Sequence, residues 1–520
     1  MPPHFLCHTF SSFCTNSFRY FGDNFDSRPS SCYTDASLSE VTRREGKNLM
    51  METIASINST INGFVWGLPA MALIVGTGIF MSFGIGFKQF TRFGYVMKNT
   101  VGKAFSKHEV KEGSVTPFQA MCTALAGTVG TGNIAGVCGA IAIGGPGAVF
   151  WMWFSALMGM ATKYSEVTLS IRYREKNAKG DWVGGPMYYI RNGLGKKWNW
   201  LATVFALFAT LAAFGIGNAT QVNTIASSIT ESIKLFNPDA NIGSANLIIG
   251  IVLCIFTAIV LIGGVQRIGQ VCELLVPAMA VIYIVAGIGV VVLRAGELPE
   301  IFSAIFRGAF KPSAIAGGLA GATMLDAIKK GVGRGVFSNE AGLGSAPIAH
   351  AAADVDHPVA QGIFGIFEVF ADTIVICTLT ALIVLCGNGV QGIEYGVNAN
   401  QTLTVSGLAA IYPEKIATIA IAIALSLFAY STVLTWGLYG SRTAEYLFCT
   451  KAVKPYQIIF CLVCIVGTTV DLGFAWDIAD TLNGLMAIPN LIAVLLLSPV
   501  VFKLTKEFFA DVDAKKKAAK

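Results

Sequence analysis

A glycine-rich run inside a long apolar stretch is the feature that most constrains how this chain can fold. The stretch Phe118–Ile143 is long enough to cross a bilayer, and its centre, Ala124–Val137, reads ALAGTVGTGNIAGV. Glycines hold a helix poorly, because each costs about 1 kcal/mol relative to alanine. A broken helix is tolerated in lipid only where the freed N–H and C=O groups find partners inside the protein or in a polar cavity.

The freed backbone groups of such a break can bind a ligand, since helix N-termini favour anions and unwound carbonyls favour cations. Gly127, Gly130 and Gly132 would let a small ligand approach the backbone closely. Taken alone, the run is explained equally well by close helix packing of the GxxxG kind. A dinucleotide or phosphate loop is excluded, because no strand precedes the run and the basic residue of a P-loop is missing.

The composition is that of a polytopic membrane protein. The 520 residues are 54% hydrophobic and 13% charged, with a mean hydropathy of +0.61, whereas soluble domains carry about 25% charged residues. At about 20 residues per span, the chain has room for roughly ten to twelve spans. The net charge of +6 does not indicate nucleic-acid binding, because the basic residues are distributed by membrane side.

Apolar segments and loop charges together predict the topology. Residues 1–60 are Ser-rich and offer no helical period, so we expect a disordered extension or a start codon assigned too early, with Met51 as the natural beginning. The apolar segments are 63–85, 118–143, 148–171, 201–229, 245–264, 271–293, 314–327 with a broken continuation to 336, 362–386, 416–438, 458–472 and 485–501. Basic residues fill alternate connections, beginning with Lys88–Lys111, which predicts an outside N-terminus, an inside C-terminus and a basic cytoplasmic tail at 505–520.

The two halves of the transmembrane domain, residues 61–504, mirror each other. Beyond an extra helix at 63–85, repeat one spans 117–293 and repeat two spans 313–503; they begin on opposite membrane sides, as an inverted repeat requires. Repeat two also opens with a glycine-interrupted segment, Ala316–Asp326, which continues to Gly335. The sequence therefore predicts an all-α polytopic membrane protein with about eleven transmembrane helices, a 5+5 inverted repeat with a discontinuous first helix in each repeat, and one extra N-terminal helix. Paired broken helices favour a ligand site at the membrane midplane over simple packing.

Polar residues within the spans are functional candidates, because burying them in lipid is costly. Asp326, at the expected break of the second broken helix, could meet an ammonium group or a cation, or form a salt bridge with a lysine one turn on. Gln221 could bind a zwitterion or hydrogen-bond a neighbouring helix. The adjacent hydroxyls of Ser431 and Thr432 suit a hard cation, or they satisfy backbone carbonyls.

Other ionisable residues carry weaker signals. Glu166 lies three residues from Lys163, which favours a local ion pair. Glu368 and Asp372 share a helix face at i,i+4 and could line a path or serve structure. His350 borders a loop that we expect outside the membrane, and no metal-binding or catalytic set can be read from the sequence.

Three motifs resemble those of the alanine or glycine:cation symporters, usually called sodium:alanine symporters. They are Gly144–Gly159 (GGPGAVFWMWFSALMG), Gly184–Tyr189 (GGPMYY) and Ser338–His350 (SNEAGLGSAPIAH). The resemblance covers residues 62–501. It implies a leucine-transporter-like fold of the amino acid–polyamine–cation superfamily, with one additional N-terminal helix.

The resemblance also implies roles for individual residues. The substrate carboxylate would meet backbone N–H groups around Gly130–Gly132, and Gln221 and Asp326 would shape the pocket around the amino group. The residues expected to bind substrate are Thr128, Gly130, Thr131, Gly132, Asn133, Gln221 and Asp326. Sodium would be bound by main-chain oxygens of Ala126 and Val129 and by the hydroxyls of Ser431 and Thr432. No catalytic residue and no cofactor other than the coupling ion is expected.

The function expected from the residues and the resemblance is secondary active uptake of alanine or glycine, with D-alanine as a further candidate, coupled to sodium by alternating access. Proton coupling is the alternative. A channel is disfavoured because no repeated filter is visible, and an enzyme because no catalytic set is. We expect a monomer in the lipid of a bacterial cytoplasmic (inner) membrane, with no nucleic-acid partner.

Overall fold

The computed structural model describes residues 52–103, 111, 113–311, 323–470 and 473–518. The chain divides into two units, Met1–Ser56 and Ile57–Lys520. Of the first unit, residues 52–56 are described, and they are helical. The second unit is almost entirely helical in its described part, as the sequence predicts.

The second unit begins with helical residues 57–65, which lead through a turn at Trp66 and Gly67 into the first numbered helix. The helices are α1 Leu68–Gly84, α2 Lys88–Thr91, α3 Phe93–Asn99, α4 Pro117–Thr128, α5 Ala135–Gly144, α6 Gly147–Tyr173, α7 Pro186–Tyr189, α8 Asn199–Phe214, α9 Thr220–Lys234, α10 Ile242–Ile262, α11 Gly264–Leu293, α12 Leu298–Phe310, α13 Met324–Asn339, α14 Ala346–His350, α15 Pro358–Val369, α16 Thr378–Asn388, α17 Thr402–Ala409, α18 Glu414–Leu447, α19 Val453–Thr469, α20 Gly473–Leu496 and α21 Ser498–Ala518. Two short antiparallel strands, Glu175–Lys176 and Trp182–Val183, form a hairpin in one connection.

Capping residues explain where several helices begin. The Thr116 hydroxyl accepts a hydrogen bond from the Gln119 N–H at 3.0 Å, and the Gln119 side chain accepts one from the Thr116 N–H at 3.1 Å. This capping box satisfies two otherwise free donors at the start of α4. Thr323 and Asp326 form the same arrangement at the start of α13.

Burial separates lipid-facing helices from a central group. Eight helical stretches of the described residues are long and apolar enough to span a membrane, or nine if the bent α4–α5 pair counts as one span. The predicted count of eleven is therefore not confirmed by this test. Helix α10 exposes Ile248 (62%) and Ile262 (78%), as a helix against lipid does. Helix α6 is not among these eight stretches. Every residue from Gly159 to Ile171 is buried, and a helix enclosed by protein needs no apolar outer face.

The first broken helix consists of α4 and α5. Their axes differ by 60°. Between them lie the extended Gly130 and a 3₁₀ turn at Thr131–Asn133. The predicted break in the glycine-rich run is thus confirmed.

The second broken helix consists of α13 and α14, and its break does not lie in the described part of the predicted glycine-interrupted segment. Helix α13 runs without interruption through Gly331 and Gly335 to Asn339. The break lies at residues 340–345, where Glu340, Gly342 and Gly344 have positive φ values of 54°, 94° and 83°. The glycine-rich part at 312–322 lies outside the described residues.

Helices extend into both predicted end segments of the transmembrane region. Residues 52–60, assigned to a disordered extension, are helical, and residues 1–51 lie outside the described part. The predicted tail at 505–520 belongs to α21 as far as Ala518. Asp513 of α21 forms an ion pair with Arg92 at 2.5 Å.

Candidate functional site

The unwound segment between α4 and α5 is organised by Asn133. Gly130 is extended, with φ −136° and ψ −154°. Its N–H donates to the Asn133 side-chain oxygen at 2.8 Å, and the Asn133 N–H donates to the Gly130 carbonyl at 3.2 Å. The asparagine therefore keeps the break compact while leaving the turn free of bulky side chains.

Asp372 connects the two broken helices. The Asn133 side-chain amide donates to its carboxylate at 2.6 Å, and the Ser338 hydroxyl, near the end of α13, donates to it at 2.9 Å. Thr373 adds a third hydrogen bond at 2.7 Å, and Asp372 is fully buried. The i,i+4 spacing of Glu368 and Asp372 indicated this residue as a candidate, but its partners Asn133 and Ser338 could not be predicted from the sequence.

Four oxygens converge beside α4. The Ser431 hydroxyl donates to the carbonyls of Phe428 at 2.8 Å and Ala126 at 3.3 Å. The Thr432 hydroxyl donates to the same carbonyls at 3.0 and 3.1 Å. The carbonyl of Ala126 lies in the last turn of α4, where carbonyls lack helical partners and the helix dipole is negative.

These oxygens are of the kind that hard cations prefer. Ser431, Thr432 and Ala126, predicted from different parts of the sequence, are brought together. Val129 is the residue that caps the C-terminal end of α4, about one turn beyond Ala126. The carbonyl of Phe428 was missed, because a main-chain oxygen inside a regular helix carries no sequence signal.

Gln221 lies close to both the first break and the hydroxyl of Thr432. A Cβ atom built on Gly130 would lie 2.6 Å from the Thr432 hydroxyl and 3.7 Å from the Gln221 side-chain oxygen. The Gln221 amide donates to the Ile216 carbonyl at 3.1 Å. Its oxygen is buried without a hydrogen-bond partner among the described residues, which is uncommon for a buried acceptor.

A π-helical stretch precedes Gln221, and another contains Asp372. They are Gly215–Ala219 and Phe370–Cys377. Such local widening of a helix is rare and often occurs at functional sites. In this chain both stretches adjoin polar groups directed at the first broken helix.

The remaining residues of the run have distinct surroundings. The Thr128 hydroxyl donates to the Leu125 carbonyl of its own helix at 3.2 Å. Thr131 is buried. A Cβ atom on Gly132 would lie 3.3 Å from the ring of Phe337, so this aromatic side chain of α13 covers the break on one side.

Asp326 is not brought to this site. It lies in the first turn of α13, where its carboxylate accepts hydrogen bonds from Thr323. A Cβ atom built on Gly144, the last residue of α5, would lie 3.2 Å from the Asp326 carbonyl. Since α5 has ten residues, its far end is about 15 Å from the break. The capping box is the physical reason, because it fixes Asp326 at the helix start.

A second group of buried charges lies deeper in the helix bundle. Lys163 pairs with Glu368 at 3.3 Å, and the His350 ring lies 3.0 Å from the same carboxylate. Glu166 accepts instead from Asn490. The expected Lys163–Glu166 pair is therefore replaced by a contact between α6 and α15. His350 borders the loop at 351–357, as expected, and its side chain is fully buried.

The described residues contain no group of three or more His, Cys, Asp or Glu side chains that could hold a metal ion. The chemistry at the first break is instead that of hydroxyls, carbonyls and amides around an opened backbone, with the Asp372 carboxylate behind Asn133. Such an arrangement suits a small zwitterion and a hard monovalent cation better than a bond-breaking reaction.

Comparisons with known proteins are consistent with this geometry. The model of the sodium:alanine symporter family matches residues 51–520. The chain is 46% identical over 467 residues to the sodium/alanine symporter AgcS of Methanococcus maripaludis, covering 88% of this chain and 98% of that protein. It is 37% identical to the amino-acid carrier protein AlsT of Bacillus subtilis, covering 87% and 92% of the two chains. It is 35% identical to the probable sodium/glutamine symporter GlnT of the same organism, covering 88% and 91%.

Among solved structures, the crystal structure of MhsT in complex with L-phenylalanine is similar to this fold. The TM-score is 0.54 at 15% sequence identity, over 76% of this chain and 99% of that one. At this identity the likeness concerns the fold alone. It confirms the predicted class of an all-α polytopic membrane protein.

Proposed function

The chain belongs to the sodium:alanine symporter family, and from this premise we propose that it carries alanine or glycine across the membrane together with sodium. It is a multi-pass membrane transporter and not an enzyme. The proposal concerns the substrates, the ion and the residues that bind them.

One observation carries the proposal: Gly130 lies against both the Thr432 hydroxyl and the free oxygen of Gln221. A cation held by Ser431, Thr432 and the Ala126 carbonyl would therefore adjoin a ligand bound at the break. The ligand's carboxylate would accept from the backbone N–H groups of Thr131 and Gly132, since the Gly130 N–H donates to Asn133. Its ammonium group would donate to Gln221.

Proximity of the two ligands would couple their binding. Opposite charges about 4 Å apart attract by about 4 kcal/mol at an effective dielectric constant of 20. Each ligand would then raise the affinity of the other by the same factor. This reciprocity is what a symporter requires.

The crowding at Gly130 favours a small substrate. A relative is named a probable sodium/glutamine symporter, so family membership leaves the size of the side chain open. We propose glycine, alanine and D-alanine as the substrate range, because even a Cβ atom built on Gly130 would lie 2.6 Å from the Thr432 hydroxyl, which leaves little room at this point.

We further propose alternating access in a monomer surrounded by the lipid of a bacterial cytoplasmic membrane. The basic connection at 88–111 supports an outside N-terminus and an inside C-terminus. Asp326 stays a prediction as a substrate ligand, and its position at the start of α13 gives that role no support.

The experiment is uptake into proteoliposomes with one ion gradient at a time. A sodium gradient should drive saturable uptake of labelled alanine, competed by glycine and D-alanine but not by glutamine. Uptake driven by a proton gradient alone would instead establish proton coupling. Passive, non-saturating flux would indicate a channel.

A variant tests the cation ligands. Replacing Ser431 and Thr432 together by alanine should raise the sodium concentration for half-maximal uptake at least tenfold, since each hydrogen bond to a charged group contributes about 1.5–3 kcal/mol. Ser441→Ala is the matched control, because its hydroxyl donates to the Gly437 carbonyl of the same helix at 2.6 Å. An unchanged sodium dependence in the double variant would assign the two hydroxyls to helix structure.

A further inference from the structure

A cavity of about 210 Å³ lies beside α13, on the opposite side of Phe337 from the first break. Its volume far exceeds the roughly 10–15 Å³ that one water needs. The charged residues that line it are Lys329, Lys330, Arg334 and Asp480.

The charged side chains that line this cavity are partly buried, and most of them carry a positive charge. Lys329, Lys330 and Arg334 lie within two turns of α13, and none forms an ion pair with another described residue. Against these three cations the cavity has a single carboxylate, Asp480 of α20. A concave surface with such an excess of positive charge attracts anions.

The helix preceding the inverted repeats fixes that carboxylate. The Asn62 side-chain amide donates to Asp480 at 2.9 Å, and the Trp66 ring N–H donates to the Asp480 carbonyl at 3.3 Å. Both donors come from the extra N-terminal segment and also line the cavity. The segment therefore builds one wall of this cavity.

Phe337 separates the cavity from the break. Its ring lies 3.3 Å from a Cβ built on Gly132, while the Arg334 guanidinium lies 5.6 Å from the ring centre. The ring of Trp66 lies 6.3 Å from that of Phe337 on the cavity side. Phe337 therefore contacts both the break and the cavity.

We propose that this cavity is a second binding site for the zwitterionic amino acid, occupied before the substrate reaches the break. Arg334 binds its carboxylate and Asp480 binds its ammonium group, with Phe337 as the partition between the two sites. Three cations alone would suit any anion, but a carboxylate held in position in the same cavity suits a ligand that carries both charges. The inference rests on the proposed function and adds a site to it.

The test is equilibrium binding of labelled alanine to the purified full chain, with and without sodium. The cavity contains none of the oxygens assigned to sodium, so we expect one site that binds alanine without sodium and a second that requires it. Arg334→Gln and Asp480→Asn should each weaken the sodium-independent site at least tenfold, as expected for loss of a charge-assisted hydrogen bond. Both variants should retain the sodium-dependent site, which also reports that they are folded.

Analogues and a control variant define the ligand. Propionate lacks the ammonium group and alaninamide lacks the carboxylate, so neither should displace alanine from the sodium-independent site. Arg307→Gln removes an exposed charge of α12 outside the cavity and should leave both sites intact. Asn62→Ala should weaken the sodium-independent site less than Asp480→Asn does, because it only releases the carboxylate.

The outcomes separate the two proposals. Absence of a sodium-independent site, its persistence in both charge variants, or its occupation by chloride or propionate as well as by alanine would each overturn the second site. Sodium-driven uptake would then still stand. Absence of sodium-dependent alanine binding in the wild-type protein would instead refute the proposed function.

Discussion

The two broken helices of this protein are interrupted in different ways. At the first break the backbone is extended at Gly130 and closes through an asparagine side chain. At the second break, residues 340–345, the chain turns through Glu340, Gly342 and Gly344 with positive φ. The first opening is closed on one side by Asn133 and contains small residues, whereas the second is a turn through three residues with positive φ.

The contrast teaches that glycine content alone does not locate a break. In α13, Gly331 and Gly335 let the helix approach α6: a Cβ there would lie 2.3 Å from the Ala148 carbonyl and 2.6 Å from the Ser155 hydroxyl, respectively. These are packing glycines in a continuous helix. The glycines of the second break are needed for their φ angles.

The largest effect is expected from a substitution at the second break. Gly344→Ala requires an L side chain at φ +83° and puts a Cβ 2.6 Å from Pro186, so we expect a loss of about 2–5 kcal/mol from left-handed strain and overpacking together. The measurement is the amount of folded protein in membranes and its thermal unfolding in detergent.

Gly333→Ala is the control for that prediction. Its Cβ would meet only the flexible end of Met71 at 3.1 Å, and alanine favours a helix by about 1 kcal/mol. A Gly344→Ala protein as stable as the Gly333→Ala protein would contradict the distinction between turn and packing glycines.

The next effect concerns the first break and should appear in function rather than stability. Gly130→Ala keeps an accessible extended backbone but puts a methyl 2.6 Å from Thr432, so sodium-driven alanine uptake should fall about tenfold to a hundredfold. Gly136→Ala, whose Cβ has only Arg334 at 3.9 Å, should transport normally. If calorimetry gave equal alanine affinities for Gly130→Ala and wild type, Gly130 would serve helix packing and not substrate binding.

A smaller effect tests the connection between the two broken helices. Asp372→Asn removes a charged acceptor shared by Asn133 and Ser338, so we expect uptake to fall by about tenfold, since hydrogen bonds to charged groups contribute about 1.5–3 kcal/mol. Ser338→Ala removes one donor but keeps the acceptor of Asn133, so uptake should fall less. Equal losses in the two variants would mean that Asn133 is not held by this carboxylate.

We expect no change in transport when residues 1–50 are removed. The family match begins at residue 51, so a chain that starts at Met51 should keep the wild-type uptake rate, because neither break uses a residue before it. Loss of insertion or of transport in that shortened chain would show that residues 1–50 are needed.

Much of the fold could be predicted because membrane constraints are visible in composition. The all-α polytopic class, the membership of a symporter family and the position of the first break are confirmed. The position of the second break could not be predicted, because a packing glycine and a turn glycine are the same residue type. The burial of His350 could not be predicted either, because it depends on the partner carboxylate of Glu368.

The candidate site divides in the same way. The glycine run, Gln221 and the hydroxyls of Ser431 and Thr432 carry local signals, because polar residues and helix breakers are costly in lipid. Their proximity, the carbonyl of Phe428 and the carboxylate of Asp372 depend on contacts between helices far apart in sequence. Each of these contacts adds to one binding surface without leaving a pattern of its own in the chain.

The sequence by itself therefore determined the class of the protein, most of its apolar helical segments and the helix that must open, because apolar length and glycine placement act locally. Tertiary structure alone decided which glycines pack and which turn, and it left Asp326 at a helix cap while bringing Asp372 between the broken helices. The physical reason is that a buried polar group is stable only when a partner meets it, and that partner is set by how the helices pack.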